Sequence, residues 1–306
     1  MLSNINKLLA IVGPTCTGKS RLSVDLCHEF DGEIINADSM QVYKHFDIGT
    51  AKPEKDVQTE VPHHLLDIIE PDEEFNAAMF KDRADRAISA IWSRNKLPIL
   101  VGGTGLYVKA LIHGLFTIDE NKSTRQTLKE LCHNNPEGFY KNLTAIDPEY
   151  AMRISCRDER RMVRAMEVYQ LTGLPMSEWI KKHGFREPRY EVLKIGLRKS
   201  RPELYARIDA RVEEMLQQGW VEEVRTLVRA GYGEHLKPFT GIGYREILQY
   251  LRGSITYQEM TDAIKKLTRR YAKRQFTWFL KEEGILWHEY PDEVDSIRQE
   301  VAGFLS

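Results

Sequence analysis

Long apolar runs are missing from this 306-residue chain. The one near the N-terminus, Leu8 to Val12, is too short for the hydrophobic region of a secretion signal or for a membrane span. Cysteine is scarce as well. Cys16, Cys27, Cys132 and Cys156 are scattered, without the paired spacing of a zinc site or a disulfide framework. That pattern favours a reducing compartment, and the expectation is a soluble, cytoplasmic protein with no membrane partner. Neither sign of charge is in excess: the formal net charge is −1, so bulk electrostatics points to no partner. Any nucleic-acid site must then be a local basic cluster on a neutral protein. There is no internal repeat and no low-complexity stretch.

What is present suits a large buried core, with 42% apolar residues over a length of one or two domains. In the first hundred residues short apolar runs ("LLAIV", "EIINA", "HLLDII", "LPILVGG") alternate with helical stretches such as "SRLSVDLCHEF". Strand-like runs separated by helices predict an α/β core with a parallel sheet flanked by helices. Residues 118–189 are polar, helical in pattern and without strand-like runs, which predicts a helical insertion domain between core segments 1–117 and 190–306. "VLKIGL" and "GILWHEY" read as strands of the returning core.

Residues 13–20, "GPTCTGKS", match G-x-x-x-x-G-K-[ST] directly after an apolar strand and before an amphipathic helix. Gly13, Pro14, Thr15, Cys16, Thr17 and Gly18 would turn successive backbone N–H groups into one concavity, backed by the positive end of the following helix. Lys19 supplies a point charge, and the Ser20 hydroxyl is a candidate Mg²⁺ ligand. Such a loop identifies a phosphate chain but not a reaction, and nucleotide binding, ATP included, stays open.

Phosphoryl transfer in such a fold commonly uses a second carboxylate at a strand end. "LPILVGGTGLY" ends in Gly102, Gly103 and Thr104 with no acid; the acid, Asp38, instead follows "EIINA". At the end of a strand, Asp38 could hold metal, take a proton from a nucleophile, or simply begin a turn with Ser39. Thr104 could equally be a site contact or a helix N-cap.

The ordered set "GPTCTGKS", "ADSMQVYKHFDIGTAKP", "PHHLLDI", "PILVGGTGLY", "RAMEVYQLTG", "GIGYREI" and "KRQFTWF" resembles the tRNA dimethylallyltransferases, from about Leu8 to Trp287. The resemblance implies a P-loop NTPase-like core. It also implies transfer of a dimethylallyl group from its diphosphate to N6 of the adenosine just 3′ of the anticodon, with Mg²⁺ as cofactor. The partners implied are dimethylallyl diphosphate and the tRNA anticodon stem-loop, and the expected state is a monomer. By the same resemblance, residues 13–20 hold the diphosphate, while Asp38, Lys19, Ser20 and Arg161 are catalytic, Asp38 as general base. Contact with tRNA is implied for Asp38, Ser39, Met40, Gln41, Thr104, Arg125, Arg160, Arg161, Met162, Val163, Arg164, Lys273 and Arg274. Where the family often has glutamine before the catalytic arginine, this chain has Arg160.

Two basic faces accompany these motifs. Arg157, Arg160, Arg161 and Arg164 share one side of a predicted helix, opposite Met162, Val163, Met166 and Tyr169. In "IKKLTRRYAKRQFTWF", Ile264, Leu267, Tyr271 and Trp278 form a stripe, with Lys265, Lys266, Arg269, Arg270, Lys273 and Arg274 away from it. A basic helix edged by aromatics suits a phosphate backbone and unstacked bases; a solvated helix exterior is the plainer alternative. The basic faces weigh against a small-molecule kinase and against a prenyltransferase acting on free nucleotides. Lys19 and Asp38 together weigh against a non-catalytic RNA-binding protein.

Overall fold

The computed structural model describes residues 6–116, 118, 121–184 and 188–306. Thr117, the last residue of the expected first core segment, lies outside them. The chain divides into two units, one of residues 1–112 and 188–306, the other of residues 113–187.

In the first unit the chain runs β1 (Lys7–Val12), α1 (Lys19–Phe30), β2 (Gly32–Asn36), α2 (Lys55–Glu60), β3 (His63–His64), α3 (Ala77–Ser93), β4 (Leu97–Gly102) and α4 (Gly105–His113). The second unit contributes α5 (Lys122–Asn134), α6 (Pro136–Ile146), α7 (Pro148–Ala151), α8 (Glu159–Thr172) and α9 (Met176–His183). The chain then returns through β5 (Glu191–Arg198), α10 (Arg201–Gln217), α11 (Trp220–Arg229), α12 (Tyr244–Leu251), α13 (Tyr257–Phe279), β6 (Ile285–Glu289) and α14 (Val294–Leu305). Among the described residues no helix is long and apolar enough to cross a membrane.

Six strands pair in the order β3-β2-β4-β1-β5-β6, every pairing parallel. Alternation along β1 sends Leu8, Ala10 and Val12 into the core on one face and Leu9 and Ile11 into the core on the other. Burial on both faces is why the strand reads as a continuous apolar run. Because β1 lies between β4 and β5, chain direction across the sheet reverses beside it, and the carboxyl ends of these strands open the crevice where α/β sheets bind ligands. The expected strand in "HLLDII" (residues 64–69) forms only at its first residue, within the strand His63–His64. Leu65 and Asp67 take positive φ angles, which ends the extended run, and the N–H groups of Ile68 and Ile69 go to the Val42 carbonyl instead.

Helix starts follow local chemistry. Asn76 caps α3 by accepting the N–H groups of Ala78 and Met79, and Thr256 with Glu259 closes a capping box on α13. The second unit has its own core, built on Leu128, Cys132, Leu143, Met162, Val163 and Val168.

Candidate functional site

Three turns meet at the carboxyl edge of the sheet in the first unit: the phosphate loop after β1, Asp38–Gln41 after β2, and Gly103–Thr104 after β4. The phosphate loop is tied down by its own side chains. Thr17 donates its hydroxyl to the Pro14 carbonyl at 2.9 Å, and the Lys19 ammonium donates to the same oxygen at 2.5 Å. Gly18, with φ 101°, is the N-cap of α1 and carries no capping side chain, which leaves the first amides of the helix for a ligand. Ser20 follows, exposed.

From the far end of the chain, Gln275 on α13 is buried between two of the turns. Its Oε1 accepts the Thr15 N–H at 2.9 Å and its Nε2 donates to the Gly103 carbonyl at 3.0 Å. A Cβ on Gly103 would sit 2.0 Å from that Nε2, so only glycine permits the bridge. Thr104 joins the turns again, its Oγ1 accepting the Ser39 N–H at 3.2 Å.

Asp38 is half-buried. Its Oδ1 accepts the Met40 N–H at 2.8 Å and the Gln41 N–H at 3.4 Å. Desolvation raises its pKa, the dominant effect, while those two N–H groups and the Lys19 ammonium act in the opposite direction. The Tyr271 phenol lies beside Thr104, Gln275 and Asp38; burial first, then the Asp38 charge, drives its pKa up, so it stays a neutral donor. Lys19 is shifted down to about 8, mainly by burial and further by the Arg211 guanidinium, with Cys16 and Asp38 opposing. Two cations thus lie near one another beside the phosphate loop, an arrangement that an anion would neutralise.

A cleft of about 860 Å³ opens beside this loop, lined by Cys16, Gly18, Ile48, Lys52, Arg211 and Met215 among others. Among the described residues no group of three His, Cys, Asp or Glu side chains could hold a metal alone. Magnesium commonly takes one protein oxygen together with substrate phosphates and water. The exposed Ser20 hydroxyl at the loop fits that mode.

The structure thus brings together Lys19, Asp38, Ser39, Met40, Gln41 and Thr104, with Lys273 and Arg274 exposed on α13 and the Arg274 guanidinium over the Tyr271 ring. In the second unit Arg157, Arg160 and Arg161 are exposed at the start of α8, where Asp158 caps the helix and lies 3.5 Å from the Arg161 Nε. Arg125 and Arg164 both donate to the buried Glu167 carboxylate, at 3.0 and 2.7 Å. Two of the readings need correction. Met162 and Val163 are 1% and 3% exposed in the core of the second unit, so their side chains pack there and do not face RNA. Lys265 and Arg269 are ion-paired to Glu213 and Asp209 of α10, at 2.5 and 2.7 Å, so these two of the six basic residues form a helix-to-helix seam.

Sequence reasoning missed Arg211, Tyr271 and Gln275. Arg211 lies in the middle of α10 among its apolar positions, where nothing in periodicity separates it. Gln275 had a signal, a polar residue four after Tyr271 on an otherwise apolar-aromatic stripe.

Known proteins match this chain over nearly its whole length. The profile of a family described as IPP transferase matches residues 41–282, and one described as isopentenyl transferase matches residues 6–67. A tRNA dimethylallyltransferase 2 of Geotalea uraniireducens is 49% identical over 302 residues, covering 98% of this chain and 97% of the relative. A tRNA dimethylallyltransferase 1 of Citrifermentans bemidjiense is 48% identical over 300 residues, with 98% and 97% covered. The crystal structure of a full-length tRNA isopentenylpyrophosphate transferase from Bacillus halodurans superposes with a TM-score of 0.73 at 39% identity, covering 98% of this chain and 97% of that one. A eukaryotic dimethylallyltransferase captured acting on tRNA superposes with a TM-score of 0.82 at 29% identity, covering 97% and 77%. The parallel sheet and its loop are therefore a P-loop NTPase-like fold.

Proposed function

Because the chain belongs to the tRNA dimethylallyltransferase family, we propose a division of its residues between a diphosphate donor and a tRNA acceptor. The protein is a prenyltransferase: it moves the dimethylallyl group of dimethylallyl diphosphate to N6 of the adenosine immediately 3′ of the anticodon in tRNA, releasing pyrophosphate. The observation that carries the division is the meeting of a phosphate loop bearing Lys19 with an aspartate whose carboxylate lies within its electrostatic reach.

On the donor side, the amides of residues 13–20, the Lys19 ammonium and the Arg211 guanidinium bind the diphosphate. As the allylic C–O bond breaks, charge grows on the departing oxygen, and donors already aimed there stabilise the transition state. Mg²⁺, held by Ser20 and the phosphates, would neutralise part of the same charge. On the acceptor side, N6 attacks the allylic carbon and its proton passes to Asp38. The adenine must leave its stack to reach this edge of the sheet. Thr104 and Tyr271 flank Asp38 as polar contacts for the base. Arg160 and Arg161, exposed on the insertion, and Lys273 and Arg274, exposed on α13, are the cations offered to the phosphate backbone of the anticodon stem-loop, while Arg125 and Arg164 are held on Glu167. We read the protein as a cytoplasmic monomer.

Mass spectrometry of tRNA nucleosides after incubation with dimethylallyl diphosphate and Mg²⁺ tests the function. N6-dimethylallyladenosine in the anticodon loop is expected. Prenylated free adenylate with unmodified tRNA would overturn the acceptor assignment.

A further inference from the structure

Residues 47–55 form one wall of the cleft beside the phosphate loop, through Asp47, Ile48, Ala51, Lys52, Pro53 and Lys55. This wall is braced from within. The Lys52 side chain is 3% exposed, and its ammonium donates to the Tyr43 carbonyl at 2.6 Å, to Asp47 at 2.6 Å and to Asp67. Lys52 thus ties the segment both to itself, at Asp47, and to the neighbouring turns at Tyr43 and Asp67.

The segment is gripped from the outer side by α11. Glu223 accepts three successive backbone N–H groups, from Asp47 at 3.0 Å, Ile48 at 2.6 Å and Gly49 at 3.3 Å, and also the Tyr244 hydroxyl at 2.7 Å. Consecutive amides converging on one anion make a nest, filled here by a side chain of the same molecule. The Trp220 indole packs so closely on Gly49 that a Cβ there would lie 2.1 Å from its nitrogen. Tyr244 is fully buried, and burial together with the Glu223 carboxylate pushes its phenol well above the ordinary range, so it remains a donor.

On its inner side the same segment is bonded to the strand end that carries the general base. The Gln41 side-chain amide donates to the carbonyls of Thr50 at 2.9 Å and Ala51 at 3.2 Å. The Gln41 backbone N–H, with that of Met40, donates in turn to Asp38. Glu223 thus stands at one end of a hydrogen-bonded series that runs through residues 47–51 and Gln41 to Asp38, while the middle of that series faces the cleft.

We infer that Glu223 is a positioning residue for prenyl transfer: it fixes the 47–55 segment so that the donor cleft and the Asp38 carboxylate keep one spacing. It touches no reacting atom. The inference rests on the reading of the cleft as the donor side, and the test separates the two.

Glu223→Gln removes the charge and replaces one of the two acceptor oxygens by an NH₂, which must then face either the Asp47 and Ile48 N–H groups or the Gly49 N–H and the Tyr244 hydroxyl. The KM for dimethylallyl diphosphate is expected to rise, and single-turnover prenyl transfer to slow, each on the order of tenfold, as misplacement of bound groups does. Hydrogen exchange at the amides of Asp47, Ile48 and Gly49 should accelerate in the same variant, with tRNA affinity by filter binding unchanged. Tyr244→Phe, which leaves the nest intact, should shift both constants in the same direction by less, and it decides the matter if Glu223→Gln does not fold. A lowered melting midpoint with both kinetic constants unchanged would make Glu223 scaffold only and overturn the inference. Lys19→Ala serves as the control for the donor reading. If it leaves binding of dimethylallyl diphosphate intact, that reading falls and the inference with it. If it abolishes binding while Glu223→Gln is kinetically silent, the positioning role alone is lost.

Discussion

Lys19 and Asp38 set the pH range in which the site can work, and they set it from opposite sides. Lys19 must carry its proton to attract the diphosphate, and its pKa is lowered to about 8. Its contribution is complete below that value and is lost as pH rises through it. Asp38 must be ionised to accept a proton, and burial raises its pKa, so activity falls as pH drops into the raised carboxylate range. A profile of kcat/KM for dimethylallyl diphosphate should therefore be bell-shaped, with an alkaline limb near 8 that Lys19→Ala abolishes. The same substitution should cut turnover on the order of a hundredfold to a thousandfold, as for one lost oxyanion donor, with tRNA retained on filters. Asp38→Asn should leave both substrates bound and slow single-turnover transfer on the order of a hundredfold. An unchanged rate would leave Asp38 as a turn residue. Both residues were legible in the sequence because each is anchored to a strand end by local chain order. Arg211 was not, since its approach to Lys19 comes from the packing of α10, which no local pattern encodes.

Among the elements, α13 best separates what periodicity can and cannot tell. Its basic side was visible from residue type alone, yet Lys265 and Arg269 face acids on α10, whereas Lys273 and Arg274 near its end are exposed. Helical periodicity gives a residue's face but not what lies opposite it. Replacing Lys273 or Arg274 by Ala should flatten the log–log salt dependence of tRNA binding by somewhat under one unit per phosphate contact, leaving the melting midpoint in place. Replacing Arg269 should do the reverse: the salt slope holds and the midpoint falls, the stability lost being about 1 kcal/mol or less for a partly exposed pair. The start of α8 behaves in the same way. Arg160 and Arg161 are exposed, while Met162 and Val163, adjacent in sequence, are core. The strand expected in "HLLDII" failed for a related reason: positive φ at Leu65 and Asp67 is a backbone choice that apolar composition does not reveal.

For the molecule as a whole, the sequence pattern conveyed the parallel sheet and the helical insertion, because alternation of short apolar runs and their disappearance are both long-range signals. It could not convey strand order. The points where the chain leaves and re-enters the core lie together, the Arg189 N–H donating to the Ile112 carbonyl at 2.7 Å. Excising residues 114–187 and joining the ends with a short Gly/Ser linker should leave dimethylallyl diphosphate binding intact by calorimetry while tRNA prenylation is lost. Loss of both would show that the first unit needs the insertion in order to fold. One pairing also governs the order in which a ribosome can make this enzyme competent. β1, which leads into the phosphate loop, pairs along its length with β5 (Glu191–Arg198), and the loop amide at Thr15 is satisfied by Gln275, 260 residues further on. A nascent chain that has emerged only through β4 therefore has a loop of the right sequence on a half-built sheet. Its β1 edge is unpaired, and its donor pocket lacks Arg211 and Gln275. Such a chain should not retain dimethylallyl diphosphate until α13 has cleared the exit tunnel, and until β5 arrives the β1 edge stays open to pairing with another chain.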